Sequence, residues 1–78
     1  MSYELTERER NIVYLLANGF KNEEIGNRLN ISVHTVKAHL ESIFYKFRVA
    51  NRMQAIIKAA QNKIVDIDSI KIEEKQFL

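Results

Sequence analysis

The chain has no cysteine, no proline and no tryptophan, and only two glycines among its 78 residues. Without cysteine there is no disulfide framework and no thiolate metal site. The remaining nitrogen ligands, His34 and His39, miss the i, i+4 register of a helical metal pair, so no metal and no other cofactor is expected. The lack of proline leaves nothing to break a helix from within. No apolar run approaches the roughly 18 residues of a membrane span. Residues 1–10 are polar and charged, unlike a signal peptide. These absences suggest a cytoplasmic setting and no membrane partner. Enzyme chemistry has no support either: there are no paired carboxylates, no nucleophile–base set and no phosphate-cradling glycine loop. A small-molecule ligand is likewise not expected.

What is present is a single small domain with uneven charge. A chain of this length buries only about 60% of its unfolded surface, so its core must be dense and local. The net charge of +2 says little by itself. Its distribution says more, because residues 32–62 carry Lys37, Lys46, Arg48, Arg52 and Lys58 against Glu41 alone. The stretches on either side carry slightly more acid than base. A basic middle of this kind suits a local anion-binding face, although a merely solvated face is the plainer alternative.

The apolar spacing is helical along most of the chain, which predicts an all-α fold of four helices. In the first, Thr6 and Glu9 can form a reciprocal capping box. Ile12, Val13, Leu15, Leu16 and Phe20 supply its buried side, and Gly19 suits the left-handed residue that ends it. A short second helix spans about residues 23–29, with Asn22 as its expected cap and Ile25 and Leu29 pointing inward. Gly26 inside it costs about 1 kcal/mol of helix propensity relative to alanine, which suggests a close backbone neighbour. Asn30 tolerates the left-handed turn conformation.

Ser32 caps the third helix, about residues 32–47, and Ile31 with Val36 forms a hydrophobic staple. At 100° per residue, Val33, Val36, Leu40, Ile43, Phe44 and Phe47 share one arc. The opposite arc holds His34, Lys37, Ala38, Glu41 and Tyr45, with Thr35, His39, Ser42 and Lys46 on a flank. Asn51 caps the fourth helix, with Gln54 in the box position. Met53, Ile56, Ile57, Ala59 and Ala60 give that helix more apolar surface than one packed face requires. Residues 63–78 fit neither period and read as a tail, partly ordered or with a short extra element, appended to a domain of residues 1–62.

Two helices joined through Asn30-Ile31-Ser32 match the helix-turn-helix unit. In that geometry one helix enters the DNA major groove and its outward side chains meet base edges. Lys37 can donate to guanine, Ala38 can lie against a thymine methyl, and Glu41 can accept from cytosine, with His34 beside them as a further base candidate. Ser32 with the exposed helix terminus, Thr35, His39 and Lys46 suit phosphate oxygens. Other roles stay open: His39 as a core-edge histidine, and Glu41 as a partner of Lys37 or Tyr45 or as a group that repels phosphate.

Several segments carry a resemblance. Leu5-Thr6-Glu7-Arg8-Glu9-Arg10, Ala17-Asn18-Gly19, Asn22 to Gly26, Ile31 to His39, Lys46 to Val49 and Arg52 to Ala55 resemble the LuxR/FixJ-type DNA-binding domain of bacterial transcription regulators, over about residues 4–60. The resemblance implies sequence-specific binding of double-stranded DNA in transcription regulation, and a homodimer on a two-half-site operator. Pairing through the fourth helix would use Met53, Ile56, Ile57 and Ala60, unless the tail covers them. RNA polymerase is a further partner it brings in. It places the positions of Lys37, Ala38 and Glu41 in the groove, and those of Thr35, His39 and Arg52 near the DNA backbone; the lesser alternative for Arg52 is a first-turn surface residue. Four residues depart from the family pattern: Asn11 for a usual Glu, Glu23 for a common Lys, Gly26 for a usual Ala and Arg48 for a usual Gly. Glu23 puts a phosphate contact from the second helix in question, and a left-handed Arg48 would be strained. The length leaves no room for a receiver or sensor domain, so a free-standing regulator and the end of a longer one both fit. The other reading of the chain is a helical protein-interaction module that regulates a partner protein.

Overall fold

A computed structural model describes residues 4–66 and 68. It contains four helices, α1 (Glu7–Ala17), α2 (Asn22–Leu29), α3 (Val33–Phe47) and α4 (Arg52–Gln61), with no strand among the described residues. Three of the expected caps form. Thr6 accepts from the Glu9 N–H at 3.1 Å while the Glu9 carboxylate accepts from the Thr6 N–H at 2.8 Å. The Ser32 hydroxyl accepts from the Thr35 N–H at 3.0 Å, and Asn51 accepts from the Gln54 N–H at 2.9 Å. Each such cap is worth about 1 kcal/mol.

The start of α2 differs by one residue from the sequence expectation. Lys21 is the cap position and Asn22 is the first helical residue. Lys21 has no side-chain acceptor, so its backbone N–H is held instead by the Glu24 carboxylate at 2.8 Å. Asn22 is unavailable as a cap because its side-chain oxygen accepts from Arg52, 3.1 Å away.

With so little glycine, the chain closes its helices in an uncommon way. A left-handed residue follows each helix: Gly19 (φ 89°), Asn30 (φ 59°), Arg48 (φ 57°) and Lys63 (φ 57°). Only the first is glycine. After α1, α3 and α4 the paired 6→1 and 5→2 backbone bonds of a Schellman closure are present, as in Phe20 N–H to Leu15 O (3.1 Å) with Gly19 N–H to Leu16 O (3.0 Å). A left-handed residue with a Cβ costs roughly 1–2 kcal/mol, part of which a cation recovers at the negative end of a helix.

The core lies where the four helices meet. Ile12, Val13 and Leu16 of α1, Ile25 of α2, Val36, Leu40, Ile43 and Phe47 of α3, and Ala55 and Ala59 of α4 are buried. The four α3 residues are the row of the expected arc that faces inward; Val33 and Phe44 border it and are half-buried. Phe20 and Leu29 also pack against the core from its edge. Packing continues past α4, where Val65 is buried and Ile64 packs beside it. The expectation for the rest of the tail, residues 67 and 69–78, lies outside the described residues. No helix among the described residues is long and apolar enough to cross a membrane.

Gly26 is required by the turn. A Cβ there would lie 2.7 Å from the Ile31 carbonyl oxygen. The absent side chain lets the turn fold directly onto α2, which sets how closely α3 crosses it.

Candidate nucleic-acid interface

The buried row of α3 fixes which side of the helix faces outward. His34, Lys37, Ala38, Glu41 and Tyr45 are all exposed on that side. Among the described residues, the His34, Lys37, Glu41 and Tyr45 side chains form no hydrogen bond or ion pair with one another or with anything else. Glu41 therefore pairs with neither Lys37 nor Tyr45. At the N-terminus of α3 the Ser32 and Thr35 hydroxyls share a hydrogen bond at 2.9 Å. The Val33 and His34 N–H groups next to them are the orphan donors that a helix start presents to an anion.

His39 is half-buried on the flank. Lys46 and Arg52, both expected near phosphate, have partners within the chain. The Lys46 ammonium donates to the Glu9 carboxylate at 2.7 Å and to the Glu4 carbonyl at 3.0 Å. Ser42, one turn before it, donates to the other Glu9 oxygen at 2.8 Å. Burial pushes the Glu9 carboxyl up, but the bonds from Lys46, the Thr6 N–H and Ser42 outweigh it and hold the group below its ordinary value of 4.5. Glu9 thus caps α1 and locks it to the flank of α3. Ser42 and Lys46 stand one turn apart on that flank, but their spacing alone does not name Glu9 as the acceptor.

Arg52 plays a comparable part at the other end. Its guanidinium donates to the Phe20 carbonyl at 2.9 Å and to Asn22 at 3.1 Å, tying the start of α4 to the α1–α2 turn. The Phe20 ring is also covered by Arg28, whose guanidinium lies 4.5 Å from the ring centroid. Arg52 and Lys37 line one surface cleft, together with Lys21, Asn22, Glu23 and Val33. Three cations consequently surround the start of α2, with Glu23 among them.

On α4 the four apolar residues divide into two pairs. Met53 and Ile57, one turn apart, are 70% and 49% exposed. Ile56 and Ala60 are half-buried and pack against the core.

Comparison with known proteins agrees with this geometry. Residues 3–59 match the model of the luxR family of bacterial regulatory proteins. The chain is 43% identical over 61 residues to the response regulator protein VraR of Staphylococcus aureus, a match covering 78% of this chain and 29% of that protein. VraR of Staphylococcus epidermidis gives the same figures, 43% over 61 residues. The chain therefore spans under a third of the length of these curated relatives, the match covering 29% of each. The solved structure of the transcription factor GerE superposes with a TM-score of 0.78 at 34% identity, over 87% of this chain and all of that one. The response regulator ChrA of a heme-sensing two-component system gives a TM-score of 0.78 at 37% identity, over 83% of this chain and 32% of that one. The chain belongs to the luxR family of bacterial regulatory proteins and is a helix-turn-helix DNA-binding domain of that type.

Proposed function

We propose that this domain binds a specific double-stranded DNA sequence to regulate transcription, with α3 lying in the major groove. The observation that carries the proposal is the outward side of α3. Exposed polar side chains without internal partners stand there on a helix whose back is locked in the core. Unpaired groups on a rigid element can exchange water for base edges with little reorganisation. Lys37, Ala38, Glu41 and His34 read bases in this account. Ser32, Thr35 and His39, with the free N–H groups of Val33 and His34, hold phosphates. Lys46 and Arg52 reach phosphate only with the donors left over from their internal bonds, so their larger contribution is to hold α3 and the α1–α2 turn in place.

The domain acts as a homodimer in this reading, with Met53 and Ile57 at the centre of the α4 seam and Ile56 and Ala60 at its edge. Two exposed apolar side chains on one face of α4 support that arrangement. The setting is the bacterial cytoplasm, where RNA polymerase is the other partner for a regulator of transcription. Selection of bound duplexes from random-sequence DNA tests the proposal. It should return a consensus of two half-sites about one helical turn apart. Enrichment of no consensus, with capture of protein instead of DNA, would favour the protein-interaction reading.

A further inference from the structure

Arg48 holds the left-handed conformation that favours glycine, at φ 57°. Its side chain is exposed, and its guanidinium has no hydrogen-bond or ionic partner among the described residues. The closure bonds after α3 hold the backbone in that conformation, but nothing inside the chain engages the guanidinium, which leaves it free for an external acceptor. Lys63 takes the same conformation after α4, so a general preference for a cation at a helix end explains part of the choice. Position separates the two residues. Lys37, Glu41, Tyr45 and Arg48 are spaced by four, four and three, which is the spacing of one helical stripe. Arg48, the residue that ends α3, therefore sits at the C-terminal end of that row, whereas Lys63 follows α4.

Tyr45 is the next residue back along that row, and it is 85% exposed, the largest exposure among the big apolar and aromatic side chains of the described residues. Tyr45 and Arg48 border one shallow depression with Phe44 and Val49. The 15 residues of α3 extend about 22 Å, whereas the major groove is about 12 Å wide. Residues near the N-terminus of such a helix meet the bases. The far end, about 16 Å beyond Lys37 at Arg48, then overhangs the groove wall, where the sugar-phosphate backbone runs.

We infer that Tyr45 and Arg48 form a second backbone-phosphate contact at the C-terminal end of the recognition helix. The inference rests on the DNA-binding reading above. The Arg48 guanidinium neutralises a phosphate and the Tyr45 hydroxyl donates to the same or the adjacent one. The contact reads no sequence. It adds affinity to every duplex alike and holds the angle at which α3 leaves the groove.

Arg48→Gly is the decisive variant because glycine suits the backbone there, so the fold should melt no lower than the parent. Affinity is measured for the duplex selected by the parent chain and for an unrelated duplex of equal length, across a salt series. Arg48→Gly should weaken both duplexes by a common factor of about 3–10 and reduce the slope of log K against log salt by about 0.9. Arg48→Lys should restore the slope. Tyr45→Phe should weaken both about 2–5-fold without changing the slope. Lys63→Gly, which makes the same backbone and charge change after α4, should leave both affinities unaltered. If Arg48→Gly binds both duplexes as the parent does while Lys37→Ala loses discrimination between them, the phosphate contact is wrong and the DNA reading stands. If the parent binds no duplex, both fail together. A loss confined to the selected duplex would make Arg48 a base reader and would also overturn the inference.

Discussion

Replacing Glu9 with glutamine changes one charge in a nearly buried network and little else. The amide oxygen can still accept from the Thr6 N–H, and the new NH2 can donate to the Ser42 hydroxyl, so the cap and the α1–α3 contact keep their shapes. What disappears is the attraction for the Lys46 ammonium at 2.7 Å. A pair this close is worth about 6 kcal/mol in gross Coulomb energy at an effective dielectric of 20. Lys46 is 32% exposed, so water screens the pair and already solvates part of the cation. A charged hydrogen bond under those conditions contributes about 1–3 kcal/mol net. In a domain of this size that corresponds to a fall in Tm of roughly 5–20 °C.

The pH dependence gives a second, independent readout. Glu9 is held below its ordinary value of 4.5 in the folded chain, so its ionised form favours folding. That stability is fully present above the unfolded value and is lost as pH falls through the lower folded one. The gap between parent and Glu9→Gln should therefore be wide at pH 7 and should narrow below about pH 4.5. Urea denaturation followed by circular dichroism at pH 7 and pH 3 measures both quantities. A gap at pH 7 below about 0.5 kcal/mol, or one that does not change with pH, would refute the role given to the Glu9–Lys46 pair.

Other substitutions probe the remaining links. Gly26→Ala gains about 1 kcal/mol of helix propensity but forces a methyl against the Ile31 carbonyl, so a net loss of up to about 2 kcal/mol is expected; a rise in Tm would contradict the close turn. Arg52→Met removes two bonds from a cation to the α1–α2 turn and should cost about 1–3 kcal/mol in urea denaturation. An unchanged midpoint there would return Arg52 to a purely surface role. Met53→Asp with Ile57→Asp should leave stability almost unaltered, since both side chains are largely exposed, yet abolish joint occupancy of two half-sites in a footprint. Protection of both half-sites by that variant would remove α4 as the dimer seam.

The sequence was most informative where structure is decided locally. The caps at Thr6, Ser32 and Asn51, the left-handed Gly19 and Asn30, and the inward row of α3 all depend on residues within one or two turns of each other. Gly26 was also legible, because an unfavourable residue inside a two-turn helix needs a reason, and the Ile31 carbonyl provides it. Departures arose where a side chain chose a distant partner. Asn22 serves Arg52 thirty positions away, which moves the cap of α2 to Lys21. Lys46 turns to Glu9 across 37 positions of chain. A periodicity argument puts Lys46 on the correct flank of α3 but cannot separate a phosphate from a buried carboxylate as its acceptor. For the same reason the outward row of α3 was readable as a row, whereas the absence of any internal partner for Glu41 required the tertiary structure.

Base reading by the outward side of α3 is tested most directly through Lys37. The affinities of the parent and of Lys37→Ala are compared on the selected duplex and on each of its single-base-pair variants at one salt concentration. The account predicts that Lys37→Ala loses about 1–3 kcal/mol on the selected duplex and becomes indifferent to the base pair at one position per half-site, with preferences elsewhere retained. An equal loss on every duplex, with all preferences intact, would make Lys37 a phosphate contact and contradict the assignment of the α3 front to base recognition.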